Sequence, residues 1–96
     1  MDRERDIELY LIRKVEERGG LALKFTSPGN DGVPDRIVML PFGKITFVEL
    51  KTERGRLSAI QKWQQERLRK RGCEVRTIWS KLQVDEWMGG GGAGGV

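Results

Sequence analysis

Residues 35–51 read Asp35-Arg36-Ile37-Val38-Met39-Leu40-Pro41-Phe42-Gly43-Lys44-Ile45-Thr46-Phe47-Val48-Glu49-Leu50-Lys51. Two runs rich in β-branched and apolar residues flank a Pro-Phe-Gly joint. This predicts an antiparallel hairpin with strands over 35–40 and 44–51 and Gly43 in the left-handed position. A three-residue loop pairs Leu40 with Lys44, and counting inward sets Asp35 opposite Glu49. A bulge would shift that register by one. Side chains two apart on a strand share a face, so Glu49 and Lys51 project together, and Val48 and Leu50 point the other way.

Outward from the hairpin the chain is punctuated clearly. Ile7, Tyr10, Leu11, Ile12 and Val15 recur at helical spacing over residues 3–18, and Gly19-Gly20 supplies the stop. Leu21, Leu23 and Phe25 alternate with Ala22, Lys24 and Thr26, which predicts a strand with the large residues on its buried face. Residues 27–34, Ser-Pro-Gly-Asn-Asp-Gly-Val-Pro, form a loop. After a basic connection over 52–57, Ser58 opens a helix with Ile60, Trp63 and Leu68 on its inner side and Gly72 at its end. Residues 73–79 make a fourth strand, and Ser80 caps a short helix to about Met88. The order α-β-β-β-α-β-α is an α+β fold, a sheet flanked by helices. Residues 1–88 are read as one domain and residues 89–96 as a disordered glycine-rich tail.

Composition narrows the chemistry. The 96 residues have no histidine and one cysteine, Cys73. Histidine general-base catalysis, a Cys/His zinc site and an intrachain disulfide are therefore excluded. No apolar run approaches the ~20 residues of a membrane span, and the charged opening Asp2-Arg3-Glu4-Arg5-Asp6 is not a signal peptide. The net charge of +4 is unevenly placed: residues 51–76 hold nine Lys and Arg against Glu53, Glu66 and Glu74. Such a basic half suits a polyanion such as nucleic acid, or is a solvated helix face.

Two carboxylates facing each other across a hairpin repel unless a cation joins them. A hard divalent ion, Mg²⁺ or Mn²⁺, takes oxygen ligands of this kind, with phosphate and water completing its shell. Lys51, one pleat along, can orient a water or neutralise charge growing on a phosphate. The plainer alternative is a solvated Glu-x-Lys pair on a strand, with Asp35 ending a turn. Glu8 falls within the apolar stripe of the first helix and needs a partner there, either a metal site or an Arg or Lys from a neighbouring element. Gln61 either completes a capping box with Ser58 or faces the Glu49 site. Glycines 29, 32 and 55 allow close approach of a nucleic acid strand or are turns. Trp63 and Trp79 read as core residues and Trp87 as core or a dimer contact, with base stacking the less favoured alternative for all three, and Cys73 reads as a small packed residue.

The stretches Gly32-Val33-Pro34-Asp35-Arg36, Phe47-Val48-Glu49-Leu50-Lys51, Ser58-x-x-Gln61 and Leu68 to Gly72 resemble, in order and spacing, the VRR-NUC domain. That family belongs to the PD-(D/E)XK nuclease superfamily, and the resemblance runs from about Asp6 to Trp79. It implies a restriction-endonuclease-like αβββαβ core followed here by a short helix. It also implies a Mg²⁺ or Mn²⁺ site on Asp35, Glu49 and the backbone carbonyl of Leu50, with Lys51 as catalytic lysine. Glu8 matches the supporting glutamate of the first helix and Gln61 the glutamine of the later one. A homodimer, a cytoplasmic setting in a bacterium or phage, and cleavage of branched, flapped or four-way DNA are implied in the same way.

Two classes of function compete. One is a metal-dependent DNA endonuclease with Arg54, Arg56, Lys62, Arg67, Arg69 and Lys70 as candidate backbone contacts, Arg54 and Arg56 foremost because they follow the active strand. The other is a module of the same fold that binds nucleic acid without cutting it; a scaffold with merely solvating charges is a third reading. Metal dependence separates the first two, since a binder needs salt-sensitive affinity but no ion.

Overall fold

A computed structural model describes residues 1–89; the expected tail beyond Gly89 lies outside the described residues. The elements are α1 (Glu4–Glu17), β1 (Leu21–Lys24), β2 (Arg36–Leu40), β3 (Lys44–Leu50), α2 (Ala59–Lys70), β4 (Glu74–Ile78) and α3 (Lys81–Met88). The order is the one the sequence predicts. The four strands lie in the order β1-β2-β3-β4, antiparallel up to β3, with β4 parallel to β3 after the α2 crossover.

The hairpin register follows from its joint. Leu40 pairs with Lys44 and Arg36 with Val48, which sets Asp35 beside Glu49 just beyond the ladder. The joint is tighter than the sequence suggests. Residues Pro41–Gly43 form a 3₁₀ turn in which Phe42 and Gly43 both have positive φ, 69° and 73°. Glycine adopts that region freely, whereas Phe42 is held there at a cost and stands fully exposed.

One face of the sheet carries the core. Val38, Val48, Leu50 and Ile78 project from it against Ile7, Leu11 and Val15 of α1 and Val84 and Met88 of α3, all at most 3 % exposed. Each side chain of this size contributes about 1.5–3 kcal/mol when buried. A hydrogen bond from Tyr10 Oη to Asp85 Oδ1, 2.6 Å, ties α1 to α3. Ser80 accepts from Gln83 N and so caps α3 as expected.

The opposite face corrects two expectations. On β1 the buried residue is Ala22, while Leu21 and Leu23 are about half exposed. With Met39 and Ile45, to which Leu21 is aligned across the sheet, they form an apolar area that α2 leaves uncovered. On α2, Ile60 and Trp63 point outward, 46 % and 55 % exposed, and the buried residues are Gln64 and Gln65. This helix docks by hydrogen bonds. Gln64 Nε2 donates to the Asp31 carbonyl and Gln65 Nε2 to Thr77 Oγ1, both at 2.9 Å. Trp63 instead lies under the Arg67 guanidinium, 4.6 Å from its ring centre.

Candidate active site

Where β2 begins and β3 ends, four of the singled-out side chains converge. Glu49 is on the α2 side of β3 and only 3 % exposed. Asp35 Oδ2 accepts from Leu50 N at 2.8 Å, which clamps it to the strand that carries Glu49. Lys51 Nζ stands 3.9 Å from Glu49 Oε2. Gln61 Nε2 donates to the same oxygen at 3.1 Å. Gln61 also accepts from Ser58 N through Oε1 at 2.9 Å, while Ser58 Oγ accepts from Gln61 N. Its two sequence readings therefore hold together: the capping box fixes the amide so that its NH₂ aims at Glu49.

Electrostatics mark Glu49 as the unusual group. Burial, and after it the charge of Asp35, push its pKa up to about 8, with the Lys51 ammonium only partly offsetting them. A pKa raised in this way favours the protonated form of Glu49 beside the Asp35 carboxylate. This is the signature of two anions confined together.

Glu8 has the arginine partner that one of its two readings foresaw. Its Oε2 accepts from Arg36 Nε and Nη2 at 3.2 and 2.9 Å, and its Oε1 from Arg5 Nη1 at 2.9 Å. Burial alone would raise its pKa, but the hydrogen bonds from Arg36 and Arg5 prevail and hold it low. Arg36 also donates to the Ala22 carbonyl, so the pair fastens α1 to the sheet next to Asp35. Glu4, one turn earlier on the same helix, also feels the charges of Asp35 and Lys51. Burial raises its pKa, with Asp35 raising it further and Lys51 opposing. Glu4 stands in a run of alternating charges, and the only signal available was its i, i+4 spacing from Glu8, which places it one turn along the same helix side.

The basic residues divide. Arg67 is occupied by Trp63 and Gln64 Oε1, and Arg69 donates to the Val75 carbonyl. Arg54, Arg56, Lys62 and Lys70 are exposed. Trp79 is half-buried at the end of β4, with its indole N–H donating to the Gly55 carbonyl at 3.2 Å. Its neighbourhood, unlike that of a core tryptophan, opens on a cavity.

Among the described residues no three His, Cys, Asp or Glu side chains form a ready metal cluster. The donor set is instead the two carboxylates of Asp35 and Glu49. It fits Mg²⁺ and Mn²⁺, which commonly bind one or two protein carboxylates and fill the remaining positions with water and phosphate.

The chain is thus an α+β domain whose sheet carries a carboxylate pair and a lysine at the open end of a hairpin. No family model matches the chain. A solved structure described as a VRR_NUC domain superposes with a TM-score of 0.84 and 38% sequence identity, covering 90% of this chain and 94% of that one. The chain belongs to the VRR-NUC family. It is also 59% identical over 49 residues to "Putative nuclease p44" of Acyrthosiphon pisum secondary endosymbiont phage 1. That match takes in 51% of this chain and spans about half, 53%, of the phage protein.

Proposed function

We propose that this chain is a Mg²⁺- or Mn²⁺-dependent endonuclease that hydrolyses phosphodiester bonds in DNA, with a preference for branched, flapped or four-way substrates. The observation that carries the reading is the buried Glu49 carboxyl held against Asp35 with Lys51 and Gln61 on its other side. Such confinement of like charge makes little structural sense on a solvated strand face and considerable sense at a cation site.

In this reading Asp35, Glu49 and the Leu50 carbonyl hold the ion, and Glu4, more than Glu8, supplies the first-helix carboxylate near it. When bound, the ion polarises the scissile phosphate and acidifies a water. The chain's own groups do the rest. Lys51 balances negative charge growing on the phosphate and orients the attacking water. Gln61 fixes the Glu49 carboxylate so that one oxygen stays turned to the site. The water oxygen bonds to phosphorus and gives up a proton to solvent, one P–O ester bond breaks, and the leaving oxygen takes a proton from solvent. Arg54, Arg56, Lys62 and Lys70 meet the DNA backbone, and Arg67 and Arg69 chiefly hold α2 in place.

The uncovered apolar area around Leu21, Leu23, Met39 and Ile45 supports a homodimer joined through that face. Contiguous exposed apolar residues on a small domain commonly mark protein contacts. No helix among the described residues is long and apolar enough to cross a membrane.

Incubating the purified chain with blunt duplex, flap and four-way DNA, with Mn²⁺ and with EDTA, tests the proposal. Cleavage in Mn²⁺ alone, lost in Lys51→Ala, is expected. Intact substrates throughout, or equal cutting by Lys51→Ala, would overturn it.

A further inference from the structure

Beside the carboxylate site lies a cavity of about 420 Å³ lined by Glu53, Gly55, Arg56, Leu57, Lys62 and Trp79. Its size falls in the range that accepts a small organic ligand, roughly 300–1,000 Å³. Its chemistry is specific. Trp79 forms one wall, anchored through its indole N–H to the Gly55 carbonyl. Arg56 and Lys62 are exposed at the rim, and neither is engaged in an ion pair among the described residues. An aromatic wall with two unneutralised cations is the combination that takes a nucleotide: base on the ring, phosphate on the ammonium and guanidinium.

The cavity adjoins the catalytic lysine through one residue. A Cβ on Gly55 would stand 3.3 Å from both Cβ and Cδ of Lys51, so the Gly55 backbone lies flat against the lysine stem. The Gly55 carbonyl in turn accepts from the Trp79 indole N–H. A strand whose phosphate is at Lys51 therefore has its neighbouring nucleotide within reach of Trp79. In a duplex that base is stacked and paired and its ring faces are not available. An unpaired nucleotide offers them.

We infer that this cavity is a subsite for one unpaired nucleotide flanking the scissile phosphate, so that the domain acts where single strand meets duplex. The inference rests on the nuclease reading for the word scissile, but the subsite itself is a binding claim and is testable without cleavage. Trp79 is the stacking surface, and Arg56 and Lys62 hold the phosphate. Glu53, on the same wall, accepts from an exocyclic base amine. A side chain at position 55 would crowd the Thr52 amide and the Lys51 stem.

Trp63→Phe with Trp87→Phe leaves Trp79 as the sole tryptophan. In EDTA, titrating this variant with a thymidine oligonucleotide and with a 5′- or 3′-flap should quench its emission, and a blunt-ended hairpin duplex of equal charge should not. Base stacking contributes enough that Trp79→Leu should cut the flap-over-duplex binding preference about tenfold. Arg56→Ala with Lys62→Ala provides a second measure that leaves the tryptophan wall intact, and should weaken binding of the thymidine oligonucleotide with a shallower salt slope. Unchanged emission with single strand and flap, or an undiminished preference in Trp79→Leu, would overturn the subsite. Quenching by flaps in a protein that cuts nothing would leave the subsite standing and remove the nuclease reading. Equal cutting of flap and duplex with silent Trp79 emission would do the reverse.

Discussion

The Gln61 side chain joins a helix cap to a buried acid: its oxygen accepts from Ser58 N at 2.9 Å and its nitrogen donates to Glu49 Oε2 at 3.1 Å. The fold and the site thus share one amide, and substitution can separate its two tasks. Gln61→Ala removes both and should cost about 1 kcal/mol of stability as well as activity. Gln61→Glu keeps a capping-box acceptor for Ser58 but turns a third carboxylate toward Glu49 and Asp35. Its melting temperature should stay within a few degrees of wild type while cleavage falls at least about tenfold. Thermal melts beside single-turnover cutting check this; a Gln61→Glu variant with full activity would refute it.

The protonated Glu49 makes stability depend on pH with a definite sign. Its folded pKa, about 8, exceeds the ordinary 4.5. Between these values the folded state binds more protons than the unfolded one, so this group's contribution to stability falls as pH rises from about 4.5 through 8. In EDTA, wild type should lose more melting temperature between pH 5.5 and 9 than Glu49→Gln, which has no proton to lose. Mn²⁺ should raise the melting temperature more at pH 8.5 than at pH 6, because ion and proton compete for the same oxygens. Parallel melting curves for wild type and Glu49→Gln across this range would contradict the assignment.

Glu4 and Glu8 should part company. Glu8 is locked to Arg36 and Arg5 and has little left to offer an ion. Glu8→Gln should therefore lower stability by about 1–3 kcal/mol, since it leaves the Arg36 guanidinium short of its counter-charge. Glu4→Gln should leave stability nearly unchanged and weaken Mn²⁺ binding. Denaturant melts and metal titration of the two variants give the comparison, and a reversed pattern would restore Glu8 to the site.

The bare half of the sheet should be sensitive to charge. Leu23→Lys or Ile45→Glu places a charge on a surface where Leu21, Leu23 and Ile45 are each about half exposed. Because these positions are already solvated in the single chain, folding should survive. Sedimentation should show wild type at twice the chain mass and either variant at the mass of one chain. A wild-type protein that sediments as a single chain at high micromolar concentration would remove the dimer.

What the sequence made legible, and what it hid, follows from what periodicity can encode. The three-residue joint determined the hairpin register, and with it the meeting of Asp35 and Glu49, because turn length and pairing are mechanically linked. Alternation on β1 showed that Leu21 and Leu23 share a face but not which face α1 covers; small Ala22 proved to be the packed residue. On α2 an apolar-inside rule chose Ile60 and Trp63, whereas Gln64 and Gln65 are the buried residues and reach the Asp31 carbonyl and Thr77. Hydrogen-bonded docking leaves no hydrophobic period to read. Glu4 was hidden for a related reason, lying in a charged run where no single carboxylate stands out until the helix is docked.

The most direct measurement is titration of the apo protein with Mn²⁺ by calorimetry or paramagnetic resonance, repeated on Asp35→Asn and Glu49→Gln. Saturable binding in wild type, accompanied by proton release at pH 7 and abolished or reduced at least tenfold by either substitution, is the predicted result. Binding of equal strength in all three proteins, or none in wild type even with DNA present, would contradict the account.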